Sequence, residues 1–377
     1  MGFILEEDHE LMRKMVRGFA EKELAPYARE MDITGEFPPD ILKKCAELNL
    51  MGLSVAEKYG GAGSDLLTRV IAIEEVARAN TAVAFVIGLQ GPAECLEYAG
   101  TEEQKQKYLV PLATGEKLSG FGLTEPGSGS DATAMLTTAV RDGDSWVLNG
   151  SKCFISNGGV ADIYVIFAKT PQEEGVRGPS AFILEKGTPG FIFGKKEEKM
   201  GFSASTTREL IFQDCRIPAE NLLGKVGKGM HLAMYSFDQG RICCAAMAIG
   251  LTQASLEAAV TYAKQRKTFG KPIAEHQQIA FYIAEMATKL EAARSLTYRA
   301  ASLYDAGQPV GKESAMAKYY ATEVAVWCTD KCMRIHGGYG YMKEYPIERY
   351  LREARLLIIA DGTTEIQKVV VSRMVLG

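Results

Sequence analysis

Phe121-Gly-Leu-Thr-Glu-Pro-Gly-Ser-Gly-Ser-Asp131-Ala132 stands where the chain changes texture. Upstream, from Glu6 to about Glu116, the apolar residues Leu11, Met12, Met15, Val16, Phe19 and Ala20 recur every three or four positions, the period of one helix face. Thr101-Glu-Glu-Gln104 reads as a capping box opening a further helix that Pro111 helps to end, and Tyr59-Gly-Gly-Ala-Gly63 interrupts the helices between. Downstream, to about Lys225, β-rich runs such as Asp162–Phe167 and Ser180–Leu184 alternate with Gly and Pro, and Arg141-Asp-Gly-Asp144 fits a hairpin turn. Long helical patterns return after Gly229: Met247 to Gln265, His276 to Asp305 and Val310 to Ile335. The order is α, β, α, an α+β chain with expected domains at 1–116, 117–225 and 226–377. No repeat of 20–50 residues underlies it.

Length agrees with several domains, since 377 residues exceed the ~250–300 at which a single core stops growing. With 47% apolar and 24% charged residues, the chain can fill those cores. A net charge of −4 gives no reason to expect nucleic-acid binding, which needs clustered Lys and Arg. No uninterrupted apolar run reaches ~18 residues, and the acidic opening Met1-Gly-Phe-Ile-Leu-Glu-Glu-Asp8 is unlike a leader peptide, so the expectation is a cytoplasmic protein without membrane insertion. The eight cysteines form no CxxC pair and read as reduced thiols; Cys243, Cys244, Cys328 and Cys332 read as small packing residues. Four histidines, none at zinc-like spacing from a cysteine, lead to the expectation of no metal.

Near the C-terminus, Ala360-Asp361-Gly-Thr-Thr-Glu-Ile-Gln367 sets one carboxylate on a glycine-containing turn directly before a helix-forming run. That suits a base, although Asp or Thr before a helix is also an ordinary N-cap. Together this stretch and Phe121–Ala132 resemble the acyl-CoA dehydrogenase family of flavoenzymes, and the resemblance spans the chain. It implies an N-terminal helical domain, a middle β-barrel and a C-terminal four-helix bundle. Asp361 stands where that family nearly always has Glu.

The implied reaction removes an α-proton from an acyl-CoA and transfers a hydride from Cβ to flavin N5, giving a 2-enoyl-CoA. No side chain accepts a hydride, so a cofactor must. The resemblance implies FAD between the β domain and the C-terminal helices, where no G-x-G-x-x-G fingerprint is needed. By the same resemblance, Leu123 and Thr124 meet the polar edge of the flavin ring, and Phe154 and Ser156 of Lys152-Cys-Phe-Ile-Ser156 wall it. Ser130, Asp238 and Arg241 would contact the CoA substrate, with Gly240 and Gly362 against it. Arg266, Thr268, Phe269 and Gln277, with Arg334, Gly337 and Gly338, would complete the FAD site of a neighbouring subunit in a homotetramer. Thr363 and Glu365 would touch FAD after the base. An electron-transfer flavoprotein would reoxidise the enzyme.

Local alternatives stay open at each position. Pro126–Ser130 reads equally as a turn capped by Asp131, Phe154 as core, Asp238 and Arg241 as a solvated i,i+3 ion pair, and Arg266–Gly270 as a helix end. Ala360, Asp361 and Gly240 are all smaller than their family counterparts, which suggests a cyclic acyl group (cyclohexane- or cyclohexene-carboxyl) or a branched one. A straight short-chain substrate is the alternative. A nitroalkane-oxidase-like enzyme also uses Asp, but pairs it with an Arg where this chain has Lys368. A non-enzymatic scaffold of the same fold would use Asp361 only as a cap.

Overall fold

The computed structural model describes residues 5–38, 40–88, 90–171 and 178–377. Met1–Ile4, part of the opening segment discussed above, lie outside them. Helices come first: α1 (Glu7–Phe19), α2 (Ala28–Thr34), α3 (Ile41–Glu47), α4 (Leu66–Ala79), α5 (Thr81–Gly88), α6 (Gly91–Ala99), α7 (Glu102–Gln104) and α8 (Val110–Ala113). Asp65 caps α4 by accepting the Thr68 N–H at 2.7 Å. The Thr101 capping box forms as expected, with Gln104 N–H on Thr101 Oγ1 at 3.2 Å and the reciprocal bond at 3.0 Å. Pro111 does not end that helix. A π-type turn over Lys105–Leu109 widens the coil just before the ring, and α8 runs through Pro111 to Ala113.

Strands follow: β1 (Ser119–Gly122), β2 (Thr138–Asp142), β3 (Ser145–Ser156), β4 (Ile163–Lys169), β5 (Pro179–Glu185), β6 (Phe191–Lys196), β7 (Thr207–Pro218) and β8 (Leu222–Leu223). They form one mixed sheet in the order β6-β7-β3-β2-β4-β5-β8, with β1 parallel to β4. These eight strands make the middle β domain that the resemblance implied. The expected hairpin joins β2 to β3 through Gly143 at φ 58°. β4 and β5 read as nearly continuous apolar runs because both of their faces are covered.

The C-terminal part holds α9 (Gly229–Gln265), α10 (Gln277–Asp305), α11 (Gly311–His336), α12 (Ile347–Leu357) and α13 (Thr364–Leu376). Helix α9 is the axis of the molecule: every residue from Gln239 to Thr252 is buried, against α4 on one side and α11 on another. Its length and hydropathy would suit a membrane span, but 78% of the apolar window is packed inside the protein, which accounts for that composition. Gly250 permits the contact with α4, because a Cβ there would lie 2.3 Å from the Glu74 carbonyl oxygen. Cys243, Cys244, Cys328 and Cys332 are all fully buried core residues.

Candidate active site

Between α12 and α13 the chain makes two successive left-handed residues, Asp361 at φ 53° and Gly362 at φ 87°. Left-handed backbone is unfavourable for a residue with a Cβ, and it persists only where the surroundings fix it. Here they do. Gln367 Nε2 of α13 donates to the Asp361 and Gly362 carbonyls at 2.9 and 3.0 Å, and Lys318 Nζ of α11 donates to the Gly362 carbonyl at 2.7 Å. The cap of α13 is Thr363, whose hydroxyl accepts the Ile366 N–H, so Asp361 is free of that duty.

The Asp361 carboxylate turns inward. Its Oδ2 is closed from solvent without a hydrogen-bond partner, and it would lie 3.1 Å from a Cβ built on Gly240. The bare patch at Gly240 is therefore filled by the carboxylate itself. Burial pushes the Asp361 carboxyl above the usual range, against the pull of Lys318 and Arg241. An unpartnered carboxylate raised by desolvation and flanked by cations is poised to take a proton. We expect Gly240→Ala to push the carboxylate off this position and lower kcat by one to two orders of magnitude, as a ~1 Å misplacement does, with FAD retained. Steady-state kinetics beside the flavin absorbance checks this.

Arg241 is 3% exposed, so the i,i+3 ion pair allowed by the sequence forms but is buried rather than solvated. Its Nη1 donates to Asp238 Oδ1 at 3.3 Å, Ser314 adds a bond to the same oxygen at 3.1 Å, and Arg241 Nε is buried without a partner. Sequence reading missed Lys318 and Gln367, which hold the turn. A signal existed: Ser314, Lys318 and Thr322 recur every four residues on an alanine-rich helix, and all three are fully buried.

On the sheet side, Leu123 is buried and Thr124 half-buried just after β1, with the Thr124 carbonyl accepting the Cys153 N–H at 2.9 Å. Phe154 sits within an irregularity of β3; it has φ 59° and is 72% exposed, so it is not a core residue. Ser156 is half-buried. Ser130 is exposed just past the Glu125–Ser128 bridge, in a bend that Ser128 Oγ spans by donating to the Asp131 carbonyl at 2.7 Å, and the Asp131 carboxylate accepts from the Thr133 hydroxyl at 2.8 Å.

A third group gathers at the far end of α9 and α11. Arg266, Thr268, Gly337 and Gly338 line one cavity of about 500 Å³ with Tyr262 and His336. No atom lies within 4 Å of a Cβ built on either glycine, which leaves backbone open to a ligand. A guanidinium beside bare backbone over an aromatic floor fits the anionic, planar parts of a dinucleotide. Phe269, Gln277 and Glu365 are exposed outside this cavity, and Arg334 is set on Asp330 at 2.9 Å, also outside its lining. Along α9, Arg266 lies 26 residues past Gly240, which at 1.5 Å per residue is about 39 Å.

Models of the acyl-CoA dehydrogenase N-terminal, middle and C-terminal domains match residues 6–116, 120–215 and 227–376. The chain belongs to the acyl-CoA dehydrogenase family. An acyl-CoA dehydrogenase of Bacillus subtilis is 50% identical over 373 residues, 98% of each chain. A short-chain specific acyl-CoA dehydrogenase of Clostridium acetobutylicum is 47% identical over 99% of each. Among solved structures, butyryl-CoA dehydrogenase from Megasphaera elsdenii superposes with a TM-score of 0.97 at 44% identity, covering 100% of both chains. A structure described as the electron transferring flavoprotein of Acidaminococcus fermentans does so with a TM-score of 0.97 at 47% identity and the same coverage. As an acyl-CoA dehydrogenase the protein is an oxidoreductase, and its cofactor is FAD.

Proposed function

We propose that Asp361 is the base that removes the α-proton of a short acyl-CoA, forming a 2-enoyl-CoA. The observation that carries this reading is the unpartnered, desolvated Asp361 Oδ2 held on a left-handed turn. The Asp361 N–H donates to nothing among the described residues and is available to the thioester oxygen, where a donor makes the α-proton easier to remove. FAD, when bound, supplies the hydride acceptor, with Leu123, Thr124, Phe154 and Ser156 as its protein contacts. Ser130, Asp238, Arg241 and Gly362 serve the substrate, while Gly240, expected against the substrate, instead makes room for the Asp361 carboxylate.

For the acyl group, the shortness of Asp361 and the small Ala360 beside it favour a cyclic or 2-branched thioester such as cyclohexane- or cyclohexene-carboxyl-CoA. The second reading, a straight short chain, is supported by the short-chain specific and butyryl-CoA relatives. A panel of straight, branched and alicyclic acyl-CoA thioesters with a ferrocenium acceptor tests this. The proposal predicts the highest kcat/KM on a cyclic or branched member, and a maximum on butyryl-CoA selects the second reading. An electron-transfer flavoprotein is the proposed physiological acceptor, supported by the Acidaminococcus neighbour.

The ~39 Å between Gly240 and Arg266 supports a cavity that serves the FAD of a second subunit, with Thr363 and Glu365 completing each subunit's own site. We place the chain in a homotetramer on that basis. Arg266→Ala is expected to weaken FAD retention at least tenfold, since a charge-assisted phosphate bond contributes about 1.5–3 kcal/mol. Flavin content after dialysis measures it. Full occupancy in the variant, or a stable FAD-replete monomer by light scattering, would contradict the shared site.

A further inference from the structure

Lys152 is a fully buried lysine of β3, two residues before Phe154. Its Nζ donates to Glu125 Oε1 at 2.7 Å and to the Leu123 carbonyl at 3.1 Å. Glu125 is fixed in turn by the N–H groups of Leu136 and Thr137, the latter at 3.0 Å. The carbonyls on both sides of the Thr124 N–H are thus held from β3, Leu123 by Lys152 and Thr124 by the Cys153 N–H. The Thr124 N–H and hydroxyl themselves carry no hydrogen bond among the described residues.

A buried ion pair is a poor way to stabilise a core, because well-packed apolar residues of the same volume do as well or better. Its placement here has a different physical consequence. An ammonium bonded to the Leu123 carbonyl polarises the whole Leu123–Thr124 peptide unit, and bonds in such a chain strengthen one another by ~10–30%. The Thr124 N–H at the other end of that unit becomes the stronger donor.

We propose that Lys152 is a positioning residue for the cofactor: fixed by Glu125, its ammonium polarises the Leu123–Thr124 peptide so that the Thr124 N–H better stabilises the negative charge of the reduced flavin. The inference rests on the reading that the polar edge of the flavin meets Thr124. The test compares FAD-loaded parent protein with Lys152→Met and with Lys152→Met/Glu125→Gln, which removes both charges and protects the fold from an unpaired buried carboxylate. The two-electron potential of the bound flavin is measured by anaerobic dye titration, with Thr124→Val as a control on where the flavin lies. Both Lys152 variants should favour reduced flavin tenfold less than the parent, a potential about 30 mV more negative for a two-electron couple. Lower FAD occupancy or stability with the parent's potential on the flavin that remains would assign Lys152 a structural role and overturn the inference. If Thr124→Val shifts the potential and the Lys152 variants do not, Lys152 alone is wrong. If none of the three shifts it, the flavin is not at Thr124 and the underlying placement fails as well.

Discussion

Asp361→Asn should keep FAD and bind acyl-CoA, yet lose two to four orders of magnitude in the rate at which acyl-CoA bleaches the flavin, the range that a general base contributes. The amide preserves the shape of the turn and its backbone donor but takes no proton. The same variant should be more stable than the parent near neutral pH. Burial raises the Asp361 carboxyl in the folded state, so folding holds a proton there that the unfolded chain releases. The parent therefore has its full stability below the ordinary Asp value of about 4 and loses part of it as pH rises through the raised folded value. Thermal midpoints of the two proteins should coincide at low pH and separate, in favour of Asn, as pH increases. Asp361→Glu is the companion test. The carboxylate already fills the room that Gly240 of α9 leaves, where even a built Cβ would lie 3.1 Å from it, so an added methylene should move the carboxylate toward the substrate. Glu should then crowd cyclic or branched thioesters while improving turnover of butyryl-CoA. Equal loss on every substrate would argue against a base matched to the acyl group.

Arg69→Met is expected to destabilise the fold by on the order of 3–5 kcal/mol, because it leaves a buried carboxylate without its cation. Arg69 of α4 donates to Glu94 of α6 at 2.9 Å and to the Gly88 carbonyl at 2.9 Å, and Glu94 accepts the Ser236 hydroxyl of α9 at 2.8 Å. Arg69 and Glu94 are 4% and 6% exposed. Ser236 precedes Gly240 by one helical turn, so this network fixes the face of α9 against which Asp361 rests. Urea denaturation measures the loss, and Arg69→Met/Glu94→Gln should recover most of it by removing the stranded charge. A single variant within 1 kcal/mol of the parent would mean that the pair contributes little to holding these three helices.

The helices, the Thr101 capping box and the Gly143 hairpin were legible because each is written in neighbouring residues, as a period or a local bond. The position of Asp361 was legible for the same reason, as a carboxylate on a glycine-containing turn. What surrounds it was not. The room it occupies is left by Gly240, 121 positions earlier, and its turn is held by Lys318, a lysine that composition alone would set on the surface. Arg69 and Glu94 lie on different helices and lock to a third, a pairing that no local pattern records. Pro111 misled because a π-type turn before it relieves the clash that normally stops a helix. Arg334 was grouped with the glycines that follow it, whereas its side chain reaches back one turn to Asp330, its neighbour at i,i+4 on the same helix face.

Proton abstraction by Asp361 is most directly tested by exchange of the α-hydrogen of a bound saturated acyl-CoA with deuterium from D2O, followed by NMR under anaerobic conditions. This reads the base without depending on the acceptor or on the acyl chain preferred for turnover. The parent protein should wash deuterium into Cα, and Asp361→Asn should leave the thioester unlabelled at equal occupancy of FAD and ligand. Exchange that continues in the Asn variant at the parent's rate would show that another group takes the proton.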